Sequence, residues 1–176
     1  SRPVESAQAI QKIARLEERD GGFGKPEWNM SENPKICWLG QEFNVYGQSS
    51  LILRNRKMEN LLILGDRNAS RYGMLVSSLI SLVSTTDKND ISFYIYDRST
   101  LGTDWNPYLK RLALDVLSPA GYKTTFSNKV KDVEAGLREL NSELDKRLAL
   151  DQDDRMDLKP IVLVITEPED IEALNQ

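Results

Sequence analysis

The chain has 176 residues, enough for one domain with a sizeable core. Its 23 basic and 27 acidic residues give a net charge of −4, which disfavours DNA binding but leaves room for a local basic patch. Cys37 is the only cysteine and histidine is absent, so the composition excludes a disulfide framework, a Cys/His metal site and His-based catalysis within this chain.

The composition also bears on the compartment. No apolar run approaches the roughly 20 residues that a membrane-spanning helix needs, and the N-terminus lacks the apolar centre of a signal peptide. The single thiol fits a reducing environment. We therefore expect a cytoplasmic chain with no direct membrane insertion by this segment, although its parent protein could be tethered to a membrane.

The first predicted elements are a helix and a connection. Residues 4–19 carry apolar side chains at helical spacing, and two glycines follow them. Residues 23–34 are rich in Gly, Pro, Asn and Glu, which is typical of an irregular connection. We expect residues 1–33 to form this N-terminal helix and connection, and residues 34–176 to form the main domain.

The main domain begins with short β-prone runs, which lie at residues 36–39, 43–46 and 50–53. The apolar run 61–64 predicts a buried strand, and residues 74–83 predict the helix that follows it. A strand, a glycine and a helix in this order form the frame of a nucleotide-binding P-loop.

The loop inside this frame departs from the pattern GxxxxGK[ST], in which glycines let backbone N–H groups wrap phosphates, Lys neutralises them and a hydroxyl binds magnesium. Gly65 takes the first glycine position, and Asn68 lies inside the loop. Ser70 stands at the second glycine, Arg71 at the lysine and Tyr72 at the hydroxyl position. These five residues are the candidate cofactor-binding residues of a degenerate P-loop.

Further strands and a helix follow in α/β alternation. Residues 91–96 predict a core strand that ends at Asp97, residues 112–117 a weaker third strand, and residues 161–165 a buried parallel strand. Between the last two, Ser127 or Asn128 is a candidate cap for a long helix. Its apolar stripe consists of Val130, Val133, Leu137, Leu140, Leu144 and Leu148.

The last strand lies where a P-loop ATPase carries its Walker B motif. Thr166 stands where an Asp would hold magnesium, and Glu167 stands where a Glu would polarise the attacking water. Without the lysine and the metal, most of the rate enhancement for phosphoryl transfer is lost. We expect no catalytic residue, with Glu167 as a relic candidate, and no metal site. We also expect that no cofactor is bound; the alternative is ATP with Mg²⁺.

The runs PKICWLGQEF, NLLILGDRNASRYGM, ISFYIYDRST and PIVLVITEPEDIEAL together resemble the FtsK/SpoIIIE family of RecA-like motor ATPases, over about residues 34–174. The likeness is greatest to degenerate modules of multi-domain FtsK-like proteins and type VII secretion ATPases. It implies a RecA-like P-loop core with a mainly parallel sheet flanked by helices. Because little sequence follows residue 168, it also implies a truncated domain whose C-terminal strands are absent.

The resemblance implies a catalytically inactive ATPase-like module of a translocase or secretion motor, acting as scaffold, regulator or partner-binding unit. Its partners would be neighbouring ATPase domains or a protein substrate, in a ring-forming homo-oligomer built through the parent protein. One alternative is a nucleotide-binding motor domain with an unorthodox P-loop, active in an assembly that translocates DNA or protein. A DNA-contacting scaffold is the third hypothesis, and the acidic balance disfavours it.

Each candidate residue also has a purely structural interpretation. Gly65 can serve a tight turn, and Arg71 can be a solvated helix residue. Asp97 can cap a turn as readily as it can take part in catalysis. Glu167 fits an acidic first turn of a helix. Trp105, in a loop beyond a strand end, is the best candidate of the three tryptophans for a binding surface.

Overall fold

The computed structural model describes residues 35–41, 48–53, 60–65, 67–151 and 158–168. The predicted helix at 4–19, the connection at 23–34 and the predicted strand at 43–46 lie outside these residues. The chain divides into two compact units, Ser1–Thr85 and Thr86–Gln176, and each is described by itself.

The first unit contains a β-hairpin ladder and a helix. Strands β1 (Lys35–Gln41) and β2 (Gln48–Leu53) pair antiparallel, with Cys37 opposite Leu51 and an irregularity between Trp38 and Gly40. Helix α1 (Asn68–Thr85) packs against β1. Cys37 on β1 and Leu79 on α1 are both almost fully buried, as the apolar positions of a two-layer core should be. The β-prone runs at 36–39 and 50–53 are thus confirmed as strands.

The predicted strand at 61–64 is wrong. These residues have no strand pairing in the described part of the chain, and Leu62 and Leu64 are each 78 % exposed. An apolar run becomes a buried strand only when a neighbouring strand and a covering layer are both present, and the run does not specify them. The helix predicted at 74–83 is confirmed, but it begins earlier, at Asn68.

The second unit is built on a three-stranded parallel sheet of order β4-β3-β5, flanked by helices. Its strands are β3 (Ser92–Tyr96), β4 (Lys123–Ser127) and β5 (Ile161–Ile165). The central strand is the most deeply buried, because both of its edges are paired and both of its faces are covered. The predicted strands at 91–96 and 161–165 are confirmed, and the fold class is α/β with a parallel sheet.

Two helical segments connect these strands. A short helix α2 (Pro107–Arg111) runs into a π-helical segment (Leu112–Leu117), which leads to β4. The strand predicted at 112–117 is therefore wrong. The buried residues of the π-helical segment are Leu112, Ala113 and Leu117, so the apolar pattern reflects a wide helical turn. Leu and Ala also favour helices over strands.

Helix α3 (Val130–Leu148) connects β4 to β5 and confirms the predicted long helix. Its Val133 packs with Tyr94 and Tyr96 of β3, and Leu137 and Leu140 border this cluster. On the opposite face of β3, the Phe93 ring meets the Tyr122 ring edge-on, with centroids 6.0 Å apart. The C-terminal end of the predicted apolar stripe is not buried, since Leu144 and Leu148 are about half exposed.

Candidate functional site

The residues predicted to form a degenerate P-loop lie at and just before the start of α1. Asn68 is the first helical residue, and Ser70, Arg71 and Tyr72 follow within the helix. The backbone N–H groups of Ser70 and Arg71 both donate to the carbonyl of Arg67, at 3.1 Å each. A phosphate-binding loop needs such N–H groups free to face its ligand, and here the helix itself uses them.

The side chains of this turn contact one another. The Arg71 guanidinium donates to the Asn68 side-chain oxygen. The Arg71 Cγ also lies 3.8 Å from the position that a Cβ on Gly65 would take, so the small residue at 65 lies beside the arginine. Tyr72 is only 4 % exposed, which places its ring in the core. The structure thus brings Gly65, Asn68 and Arg71 together and directs Tyr72 away from solvent.

A network of hydrogen bonds connects the residues that follow the carboxyl ends of β3 and β5. Asp97 follows β3 and is 2 % exposed, and Thr166 follows β5 and is buried as well. The Thr166 hydroxyl donates to Asp97 Oδ1 over 2.9 Å and accepts the Arg98 N–H over 2.9 Å. The Thr166 hydroxyl therefore hydrogen-bonds one acceptor, Asp97, and one donor, the Arg98 N–H.

Asp97 also organises the loop that follows β3. Its Oδ1 accepts the Ser99 N–H at 3.0 Å, which is the geometry of a side-chain-capped turn. The Asn106 amide in turn donates to the Ser99 hydroxyl at 2.8 Å and to the Ser99 carbonyl at 3.2 Å. The structure gives Asp97 the turn-capping role that the sequence left open beside catalysis.

This loop holds Trp105 half-buried, and its indole N–H is buried without a hydrogen-bond partner in the described part of the chain. Leu101 in the same loop is 76 % exposed, and Tyr108 at the start of α2 is 39 % exposed. Exposed apolar and aromatic side chains on a loop held by internal hydrogen bonds are common in protein contact surfaces. We call Leu101, Trp105 and Tyr108 the loop surface.

Glu167 has an unusual backbone. It follows the buried Thr166 and adopts a φ of 49°, in the left-handed region that few residues other than glycine occupy. Its side chain is half-buried. Strain of this kind is common at functional positions, but it also arises where a chain must turn sharply after a strand.

Sequence reasoning undervalued Ser127, which ends β4. Its hydroxyl donates to Asp132 at 2.7 Å and accepts the Lys129 N–H at 3.1 Å, and its carbonyl accepts the Asp97 N–H at 3.0 Å. The helix cap itself is Lys129, so neither Ser127 nor Asn128 takes the predicted position. The available signal was a serine between a β-prone run and the apolar stripe of α3.

The described residues contain no group of three or more His, Cys, Asp or Glu side chains placed to hold a metal ion. Within the same residues, none of the helices is long and apolar enough to cross a bilayer.

Comparisons of the chain with protein families, with curated proteins and with solved structures found no match.

Proposed function

We propose that this chain is a catalytically inactive, ATPase-like module with a P-loop-derived core that binds a protein partner within a larger FtsK/SpoIIIE-type assembly. The observation that carries the proposal is the start of α1. The N–H groups of Ser70 and Arg71 donate to Arg67, and the Arg71 side chain contacts Asn68. Phosphate binding would require these contacts to be exchanged for ligand contacts.

The carboxyl end of β5 supports the same conclusion. A Walker B aspartate supplies a carboxylate to magnesium, whereas Thr166 supplies a neutral hydroxyl that is already bonded to Asp97 and Arg98. Because the Thr166 hydroxyl already has a protein acceptor and a protein donor, it stabilises the loop instead of holding an ion. Glu167 is left with no metal-bound phosphate on which to act.

The loop surface supports partner binding. Leu101 extends from a loop whose backbone is fixed through Asp97, Ser99 and Asn106, so a partner would meet a preorganised apolar contact. The partner in this proposal is a neighbouring ATPase domain or a translocated protein.

Calorimetric titration of the chain with ATP and ADP, with and without Mg²⁺, tests the loss of nucleotide binding. We expect no binding by the native chain, and a gain on restoring Ser70→Gly and Arg71→Lys together. Thr166→Asp and Tyr72→Ser are each added as a separate variant, because the first places a carboxylate beside buried Asp97 and the second leaves a cavity where a buried ring stood, and either change costs several kcal/mol. Native binding at micromolar concentration or tighter would show that the inactive-module proposal is wrong.

Sedimentation velocity tests the loop surface, with a second copy of the chain as partner. Leu101→Asp should lower any concentration-dependent association, whereas Leu148→Asp places the same charge at a half-exposed leucine on the last turn of α3 and should not. Equal effects of the two substitutions would count against a role of the loop surface in assembly.

A second candidate function is nucleotide binding through an unorthodox loop. The first turn of α1 contains no acidic residue, so the positive end of its dipole is not neutralised, and Arg71 lies in that turn. If the native chain binds ATP, Arg71→Ala should abolish the binding, and Arg138→Ala, on the exposed face of α3, should leave it unchanged. Loss of ATP binding in both variants would rule out a specific role for Arg71.

A further inference from the structure

A groove of about 590 Å³ lies at the amino ends of the three parallel strands, next to the second half of α3. The first residues of the strands, Ser92, Lys123 and Ile161, line one side, and α3 lines the other from Glu139 to Arg147. Its volume is within the range of pockets that hold small ligands or peptide side chains. The groove is at the opposite end of the strands from Asp97 and Thr166.

The charge of the groove is opposite to that of the chain. Among the described residues, five basic and two acidic side chains line it, although the whole chain carries a net charge of −4. Four of the basic residues are lysines, at positions 88, 123, 146 and 159, and none of them forms an ion pair with another described residue. A local excess of positive charge in an acidic protein attracts anionic partners.

The remaining charged residues of the groove already have partners. Arg147 Nε donates to Glu143 over 2.8 Å, and Arg147 Nη1 donates to the Lys159 carbonyl over 2.9 Å. The hydrogen bond from Arg147 lowers the pKa of Glu143, which therefore stays ionised. Burial and the adjacent Glu139 raise the pKa of Tyr94. The lysines are thus the groups left to recognise a ligand.

The groove also has an apolar floor. Ile91 is buried, and Leu140 and Ile161 are half-buried beside the Tyr94 ring. An apolar floor with a charged rim suits a ligand that has both apolar and acidic groups.

The lysines and the apolar floor together favour an extended ligand over a compact one. Lys123 begins β4 and Lys159 precedes β5, so their strands are two spacings apart, roughly 10 Å. A compact phosphate would leave the apolar floor uncovered. An extended chain can place one carboxylate near each of these lysines and apolar side chains between them.

We propose that this groove, at the amino ends of the strands, binds an acidic peptide segment of a partner protein. The apolar side chains of the peptide would lie on Leu140 and Ile161, and its carboxylates near Lys123 and Lys159. This interaction goes beyond the proposed function, because the groove lies at the amino ends of the strands, whereas the loop surface follows the carboxyl end of β3. It does not depend on nucleotide chemistry.

Fluorescence anisotropy of the full chain with a fluorescein-labelled peptide of alternating Glu, Leu and Phe tests the proposal. We expect saturable binding that weakens as salt rises. The double variant Lys123→Glu/Lys159→Glu should bind at least about tenfold more weakly. The control Lys110→Glu/Lys131→Glu makes the same charge change at two exposed lysines outside the groove and should bind within about twofold of the native chain. Circular dichroism establishes that both variants are folded.

Three outcomes with this peptide would overturn the proposal. One is the absence of saturable binding by the native chain. Another is equal weakening in the groove variant and the control, which would indicate non-specific attraction. The third is displacement of the peptide by inorganic pyrophosphate at matched ionic strength, which would assign the lysines to a compact anion. A peptide with Gln in place of Glu should not bind, and one with Ser in place of Leu and Phe should bind more weakly; full binding by either also contradicts the proposal.

Discussion

The Thr166 hydroxyl donates a hydrogen bond to the buried Asp97 carboxylate over 2.9 Å and so joins the ends of β5 and β3. The adjacent backbone continues the ladder, because the Thr166 N–H donates to the Tyr96 carbonyl at 3.1 Å. A neutral hydroxyl at this position donates to a buried carboxylate, which needs hydrogen-bond donors because it is shielded from water. Thr166 therefore has a clear structural role.

Thr166→Asp should destabilise the protein. It would place a second carboxylate about 3 Å from Asp97 and remove the hydroxyl donor, at an expected cost of about 2 to 4 kcal/mol. Urea denaturation followed by circular dichroism measures this cost. Because the pair raises the pKa of one carboxyl, the destabilisation should shrink as the pH falls and that group becomes protonated.

Thr166→Asn is the matched control, since its amide has nearly the shape of Asp and can donate to Asp97. We expect Thr166→Asn to retain most of the native stability at neutral pH. If the Asp and Asn variants are equally destabilised at every pH, charge repulsion with Asp97 is not the cause.

Gly136→Ala should be strongly destabilising, because α3 approaches β3 closely at this residue. A Cβ on residue 136 would collide with the Tyr96 hydroxyl and would lie 2.7 Å from the Tyr96 ring carbon Cζ. The strain should outweigh the helix propensity gained and cost about 2 kcal/mol or more. Thermal or urea denaturation measures the change.

Gly73→Ala in α1 provides the control for Gly136→Ala, since a Cβ at Gly73 meets nothing within 4 Å. Here the helix propensity of Ala should stabilise the protein by up to about 1 kcal/mol. Tyr96→Phe removes the nearest colliding atom, so it should recover part of the cost of Gly136→Ala in a double-mutant cycle. The close approach is refuted if Gly136→Ala is as stable as Gly73→Ala.

The elements predicted correctly from the sequence include those whose burial creates a strong apolar pattern. Strand β3 is apolar because both faces are covered, and α3 carries a stripe because one face packs on Tyr94 and Tyr96. Strand β4 was missed. It lies at the sheet edge with no fully buried residue, so its sequence, KTTFS, shows only the β-propensity of its threonines and phenylalanine.

The candidate site could be predicted only in part. The helix after Gly65 is visible in the sequence, whereas the strand predicted before Gly65 is not formed, and the start of α1 at Asn68 depends on where the first backbone hydrogen bonds form. The link between Asp97 and Thr166 joins residues far apart in the chain. It follows from the parallel register of β3 and β5, which periodicity alone does not give.

Glu167→Gly should stabilise the protein relative to Glu167→Ala. The φ of 49° costs little for glycine and more for any residue with a Cβ, so we expect a difference of about 1 kcal/mol between the two variants. Both variants remove the carboxylate equally, and chemical denaturation compares them. If the alanine variant is as stable as the glycine variant, the backbone at this position is not strained.

Cys37 should make the stability depend on pH in the alkaline range. Burial raises the pKa of this thiol from 9.0 to about 11, and the side chain is 1 % exposed. The folded state holds the proton more tightly than the unfolded state, so this stabilisation is fully present below about pH 9 and is lost as the pH rises towards 11. The two-unit shift corresponds to roughly 2 to 3 kcal/mol at most.

Urea denaturation of the native chain and of Cys37→Ala, at a series of pH values from neutral to about 11, isolates this contribution. Burial also raises the pKa of Tyr94 and of Tyr96, so both proteins should lose stability at high pH, and the native chain should lose more. The alanine variant starts from a lower stability because it leaves a small cavity. The gap between the two curves should therefore narrow as the pH rises through the thiol pKa, and a constant gap would show that Cys37 does not titrate differently in the folded state.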